Sequence, residues 1–200
     1  MHDRLELSTT TGNIDIEIDP TPGNGTSELI LTSSTGAIKV GISESWWRRK
    51  DRALRSIRTE IKTVQGNVYA RVLLGDGGSA SVYSVSGAQD LRIYVYNTDV
   101  SDNVAELITT SHIGDQLVAV TSFGSLDSTI SSLKAQHSSL GTANVDLQYS
   151  HAWRGELHAL VSDVGHLDVQ GAARLVFDKK DVKEVLVSSH LPMDRHDPII

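Results

Sequence analysis

A glycine-centred phrase recurs along this chain and limits what it can fold into. Thr9-Thr10-Thr11-Gly12-Asn13-Ile14-Asp15-Ile16-Glu17-Ile18 returns as Leu31-Thr32-Ser33-Ser34-Thr35-Gly36-Ala37-Ile38-Lys39-Val40, and again as Thr63-Val64-Gln65-Gly66-Asn67-Val68-Tyr69-Ala70-Arg71-Val72. Each copy carries hydroxyl-bearing residues, a glycine suited to a tight turn, and then an alternation of apolar and polar residues. Shorter copies centre on Gly87, Gly114, Gly124, Gly141 and Gly165. The spacing is irregular, roughly 20–30 residues where it is clearest, as in arrays of stacked units. Irregular spacing predicts coils joined by loops of varying length.

Alternation assigns faces. Ile14, Ile16 and Ile18 fall on one side of a strand, Asp15 and Glu17 on the other. The same parity turns Ile38, Val40 and Ile42 inward, then Val68, Ala70 and Val72, leaving Lys39, Tyr69 and Arg71 outside. It repeats at Ile93 and Val95, at Val145 and Leu147, and at Leu167 and Val169. A strand with one apolar face buries it only against neighbours, so the copies are expected to stack. Stacking in order puts Asp15 beside Lys39 on adjacent outer rungs. Leu74-Gly75-Asp76-Gly77-Gly78-Ser79 reads as a turn between two strands; the Lys-Ser/Thr of a phosphate loop does not follow.

The alternation stops at Ser43–Ile57. There Trp46, Ala53 and Ile57 stand at i, i+7 and i+11, which predicts a short helix near 44–56. Its simplest role is cover, with tryptophan as anchor and arginine stems over apolar surface. The sharper reading makes Trp46, Trp47, Arg48 and Arg49 a ligand-binding patch for a glycan, a phosphate or an anionic surface.

Cysteine is absent, which removes disulfides and thiolate chemistry. A net charge of −7 argues against a nucleic-acid partner. No apolar stretch fits a signal peptide or a membrane span, so the chain as given reads as cytoplasmic, or as one domain of a longer protein. The histidines show no metal-binding frame, so no metal and no cofactor are expected, and each histidine is placed by default on an outer face. His158, Asp163 and His166 are the candidates for a catalytic cluster, with His151 and Asp168 nearby in sequence.

Some strings resemble a known family. Leu7-Ser8-Thr9-Thr10-Thr11-Gly12-Asn13-Ile14 and its copy at 31–38 resemble adhesin-type β-solenoid domains. Leu73–Val82 with Ser84-Val85-Ser86-Gly87, and Trp153-Arg154-Gly155 leading to Gly165–Val169, look like an uncharacterised fungal branch of that family. The resemblance spans Leu5 to Val187, is weakest at 46–56, and carries no catalytic residues. It implies a binding module.

The expected fold is therefore all-β: a single right-handed β-solenoid domain over 1–190 with one short helix near 44–56, and a loose tail over 191–200. A two-sheet β-sandwich is the alternative, since strands at 8–12-residue intervals suit both. The expected function is a non-catalytic, adhesin-like module that presents outer strand faces to a protein or glycan, or to a second copy of itself. The alternative is an enzyme acting on a carbohydrate or small metabolite in a groove along the solenoid. A membrane-surface role through Trp46–Lys50 is the least favoured.

Overall fold

The computed structural model describes residues 3–20, 23, 25–48, 55–96, 103–123, 131–150, 153–162, 164–171, 176–180 and 184–189. The tail over 191–200, His151, Asp163, Arg49 and Gly124 lie outside them.

The chain winds as a β-solenoid whose coils each contain two strands. The first coil is β1 (Asp3–Thr11) and β2 (Ile14–Ile18), the second β3 (Thr26–Thr35) and β4 (Ile38–Ile42). The third is β5 (Ser56–Gln65) and β6 (Val68–Leu74), the fourth β7 (Ser79–Ser86) and β8 (Gln89–Tyr96). Then come β9 (Ala105–Ile113) with β10 (Gln116–Phe123), β11 (Ser131–Ser139) with β12 (Asn144–Tyr149), and β13 (Trp153–Val161) with β14 (His166–Gly171). Odd strands stack in one sheet and even strands in the other, parallel throughout these coils. Parallel stacking rules out the sandwich, whose strands pair in antiparallel fashion. A final hairpin, β15 (Val176–Lys180) and β16 (Glu184–Ser189), pairs antiparallel and covers the edge of β13.

The register explains the alternation. Ile14, Ile38, Val68, Gln89, Gln116, Val145 and Leu167 form one inward row. Leu7, Leu31, Ile61, Val82, Thr109, His137, Ala159 and Val185 form a row facing it from the other sheet. Leu31, Ile38, Ile61, Leu91, Ile93 and Leu107 are fully buried, each contributing about 1.5–3 kcal/mol relative to exposure. The Asp15–Lys39 pair forms as the stacking requires, at 3.2 Å. Both side chains are well exposed, so its contribution is small.

The turns at Gly12, Gly36, Gly66, Gly87 and Gly114 lie on one edge of the solenoid, because each joins an odd strand to the even strand that follows, whereas the turn over 75–78 joins β6 to β7 on the other edge. Close stacking there demands glycine. Gly114 has φ +123°, and a Cβ on it would stand 2.4 Å from the carbonyl oxygen of Gly87. Gly12, in the first coil, has φ +113° but nothing nearer such a Cβ than the Thr9 hydroxyl at 4.0 Å.

One expectation changes. The helix is α1 (Glu44–Arg48), five residues long. Ser56 and Ile57 already belong to β5, where Ile57 is in register with Ser27. Ladder hydrogen bonding to β3 overrides the helical spacing that made Ile57 look like a third anchor.

Candidate functional sites

Among the described residues, the α1 aromatic cluster, the outer-face histidines, a polar network in the interior and one cleft bear on function.

Trp46 is 1% exposed and packs on Ile42 and Leu73 in a small core separate from the main one. Its ring meets Trp47 edge-on at 4.6 Å, and Trp47 meets Tyr94 at 4.9 Å. Trp46 is thus an anchor for α1, with Trp47 half-buried beside it. Arg48 is the last described residue of α1.

His158 and His166 occupy different sheets. His158 alternates with buried Leu157 and Ala159 in β13 and points outward, with Nε2 3.3 Å from Glu184 Oε1. His166 is exposed in β14, next to inward Leu167. Asp168 also faces outward there, in register with Asp146. His112 sits on the outer face of β9, 3.2 Å from the Tyr83 hydroxyl. Among the described residues, no group of three or more His, Asp or Glu is arranged to hold a metal ion. Among them too, no helix is long and apolar enough to cross a membrane.

His137 departs from the outer-face assignment. It is fully buried in β11, inside the stack, because it shares parity with Leu133 and Ala135. Its neighbours satisfy both ring nitrogens: Thr109 Oγ1 lies 2.7 Å from Nδ1 and Tyr149 OH 2.7 Å from Nε2. The direction of each bond follows from Gln116. Its amide nitrogen donates to Ser111 Oγ at 2.9 Å and to the Ser138 carbonyl at 2.7 Å, leaving Oε1 as the acceptor. Thr109 therefore donates to Gln116 Oε1, at 2.7 Å, and accepts from His137 Nδ1–H. Nε2 is left bare and accepts from Tyr149 O–H.

Burial holds this histidine neutral, lowering its pKa from 6.5 to about 3. The same burial pushes the Tyr149 hydroxyl well above its usual value of 10. With no route to solvent, the pair cannot serve an external substrate as acid and base. Its work is structural, and the signal that would have found it is the strand parity already used for the apolar residues.

A cleft opens on the loop edge, near the N-terminal end of the stack. It has a volume of about 260 Å³, between the first three coils. Inward apolar side chains form its walls, and Asp3, Arg4, Glu28 and Arg55 stand among its lining residues.

No protein-family model, no curated protein and no solved structure matches this chain.

Proposed function

We propose that this chain is a non-catalytic, adhesin-like interaction module whose outer strand faces bind a partner. The supporting observation is a row on the seven-stranded sheet. Arg71 and Arg92 are directly in register on β6 and β8, both exposed. Like charges side by side on adjacent strands destabilise a sheet, and nothing in the packing of the core requires them. Tyr69, two residues before Arg71, faces the same side and is 44% exposed. Two guanidiniums beside an aromatic ring suit an anionic partner, a glycan with carboxylates or an acidic protein segment. Asp90 shares this face, in register with Tyr69, and the two arginines leave the spot net cationic on a chain with net charge −7.

The test is binding of polygalacturonate and of poly-glutamate to the whole chain by calorimetry at low salt. We expect saturable binding to at least one, weakened by salt, and lost more than tenfold on changing Tyr69, Arg71 and Arg92 together to alanine. Failure of both probes to bind, or unchanged binding by the triple variant, would refute the reading.

A further inference from the structure

The cleft on the loop edge is a consequence of one irregular ladder. β2 and β4 stay in register over five residues, and β6 and β8 over seven. Between them β4 and β6 pair only at Ile38–Val68, Lys39–Tyr69 and Val40–Ala70. Beyond Val40, β4 leaves β6, and the chain runs into α1. Trp46 fills part of the gap by packing on Ile42 and Leu73. The remainder is the 260 Å³ cleft.

Its inner walls are Leu29, Val40, Ile42, Val72 and Leu73, all buried core side chains. One more position widens it. The inward row Leu29, Thr59, Ala80, Leu107, Ala135 and Leu157 has two small members in succession, Thr59 and Ala80, just beyond Leu29, and Thr59 lines the cleft. Four of the six charged residues among the lining face one another. Arg55 Nη1 donates to Asp3 Oδ2 at 2.6 Å, and Arg4 Nη1 lies 3.7 Å from Glu28 Oε2. With Asp19 and Arg71 the lining holds three acidic and three basic residues, a balance that asks for no net charge on a ligand. An apolar cavity of about 150 Å³ is enough for benzene, and this one is larger.

We propose that the cleft between β4 and β6 binds a small aliphatic molecule, a chain with at most one neutral polar group left near the charged residues. This site adjoins the cationic row at Arg71, which is among its lining residues, but it asks for a different ligand chemistry. Its inner walls are apolar, so recognition rests on burial of methylenes.

The probe is the series of n-alkanols from butanol to decanol, titrated into the whole chain. Because Ile42 and Leu73 line the cleft and also touch Trp46, occupancy should change tryptophan fluorescence. Affinity should rise about fourfold per added methylene, then level off once the cleft is full. Thr59→Leu, which fills the cleft from the nine-stranded sheet, should weaken decanol binding at least tenfold while the far-ultraviolet circular dichroism stays unchanged. Val72→Leu, a smaller filling on the opposite wall, should weaken it in the same direction and serves if Thr59→Leu does not fold. Absence of a saturable signal in both fluorescence and calorimetry would overturn the proposal. So would a folded filling variant that binds decanol as tightly as the parent. Neither result would touch polygalacturonate or poly-glutamate binding, so the two proposals fail separately.

Discussion

Gln89 and Gln116 occupy the same position in successive coils, yet only one is fully satisfied. They are in register on β8 and β10 and both are buried. Each amide nitrogen makes the same two bonds, one to a serine hydroxyl and one to a carbonyl of the next coil: Ser84 and Thr110 for Gln89, Ser111 and Ser138 for Gln116. The difference lies across the interior. Gln116 Oε1 accepts from Thr109, whereas the residue in register with Thr109 one coil earlier is Val82. Gln89 Oε1 is buried with no hydrogen-bond partner among the described residues. The two coils share one backbone frame, and a single methyl-for-hydroxyl exchange decides whether a polar network closes. Closure at Thr109 then extends to His137 and Tyr149, which the earlier coil does not have. The solenoid fixes where side chains meet and leaves open what they are. A buried polar group then costs free energy or contributes it according to its partners.

The comparison depends first on the shared frame, and breaking that should have the largest effect. Gly114→Val places a side chain against the Gly87 carbonyl that aligns the two coils. Loss of about 3 kcal/mol or more, or failure to fold, is expected. Gly12→Val, with the same backbone strain and open space, should cost only about 1–3 kcal/mol. Urea unfolding of the two variants checks the difference; equal losses would show that stacking against the neighbouring turn is not what demands glycine.

Removing each glutamine sharpens the contrast. Gln116→Leu strands the Ser138 carbonyl, the Ser111 hydroxyl and the Thr109 donor, and should cost about 3 kcal/mol. Gln89→Leu strands one fewer group and also removes an unpartnered oxygen, so it should cost clearly less, on the order of 1 kcal/mol. The same denaturation measurement ranks them, and a reversed order would break the argument.

His137 gives the network a pH signature. Its folded pKa of about 3 lies below the usual 6.5, so between these values the unfolded chain holds a proton that the folded chain does not. Stability is complete above pH 6.5 and falls as pH drops toward 3, by ~1.4 kcal/mol per unit from this group. From pH 7 to pH 5 that amounts to about 2 kcal/mol. Stability measured across this range should lose that slope in His137→Leu, and a slope unchanged by the substitution would exclude a neutral, sealed imidazole.

The smallest effect is the most diagnostic. Val82→Thr supplies the missing donor to Gln89 and should stabilise by about 0.5–1 kcal/mol despite the lost methyl. In a Gln89→Leu background the same change should destabilise, and thermal unfolding of the four chains gives the coupling directly.

Strand parity and turn glycines were enough to read the coil, its two faces and the Asp15–Lys39 pairing from the sequence. Parity also held the interior network, since Thr109, Gln116, His137 and Tyr149 each share the parity of buried aliphatic residues in their strands; only the habit of placing histidine outside concealed it. The place of Ile57 in β5 was not legible, because a helical spacing through Ile57 competes with a ladder to β3 that lies 30 residues away. Nor was the divergence of β4 from β6, which opens the cleft.

The sequence by itself therefore determined the local rules: which residues turn, which strands alternate and which face each residue takes. These follow from φ at glycine and the two-residue period of a strand, and need no distant partner. Only the tertiary structure decided which rows face each other across the interior, and so whether Gln116 meets a donor, where His137 finds Tyr149, and where two strands part. Those outcomes depend on register between segments 20–30 residues apart, fixed by the stacking of whole coils through variable loops.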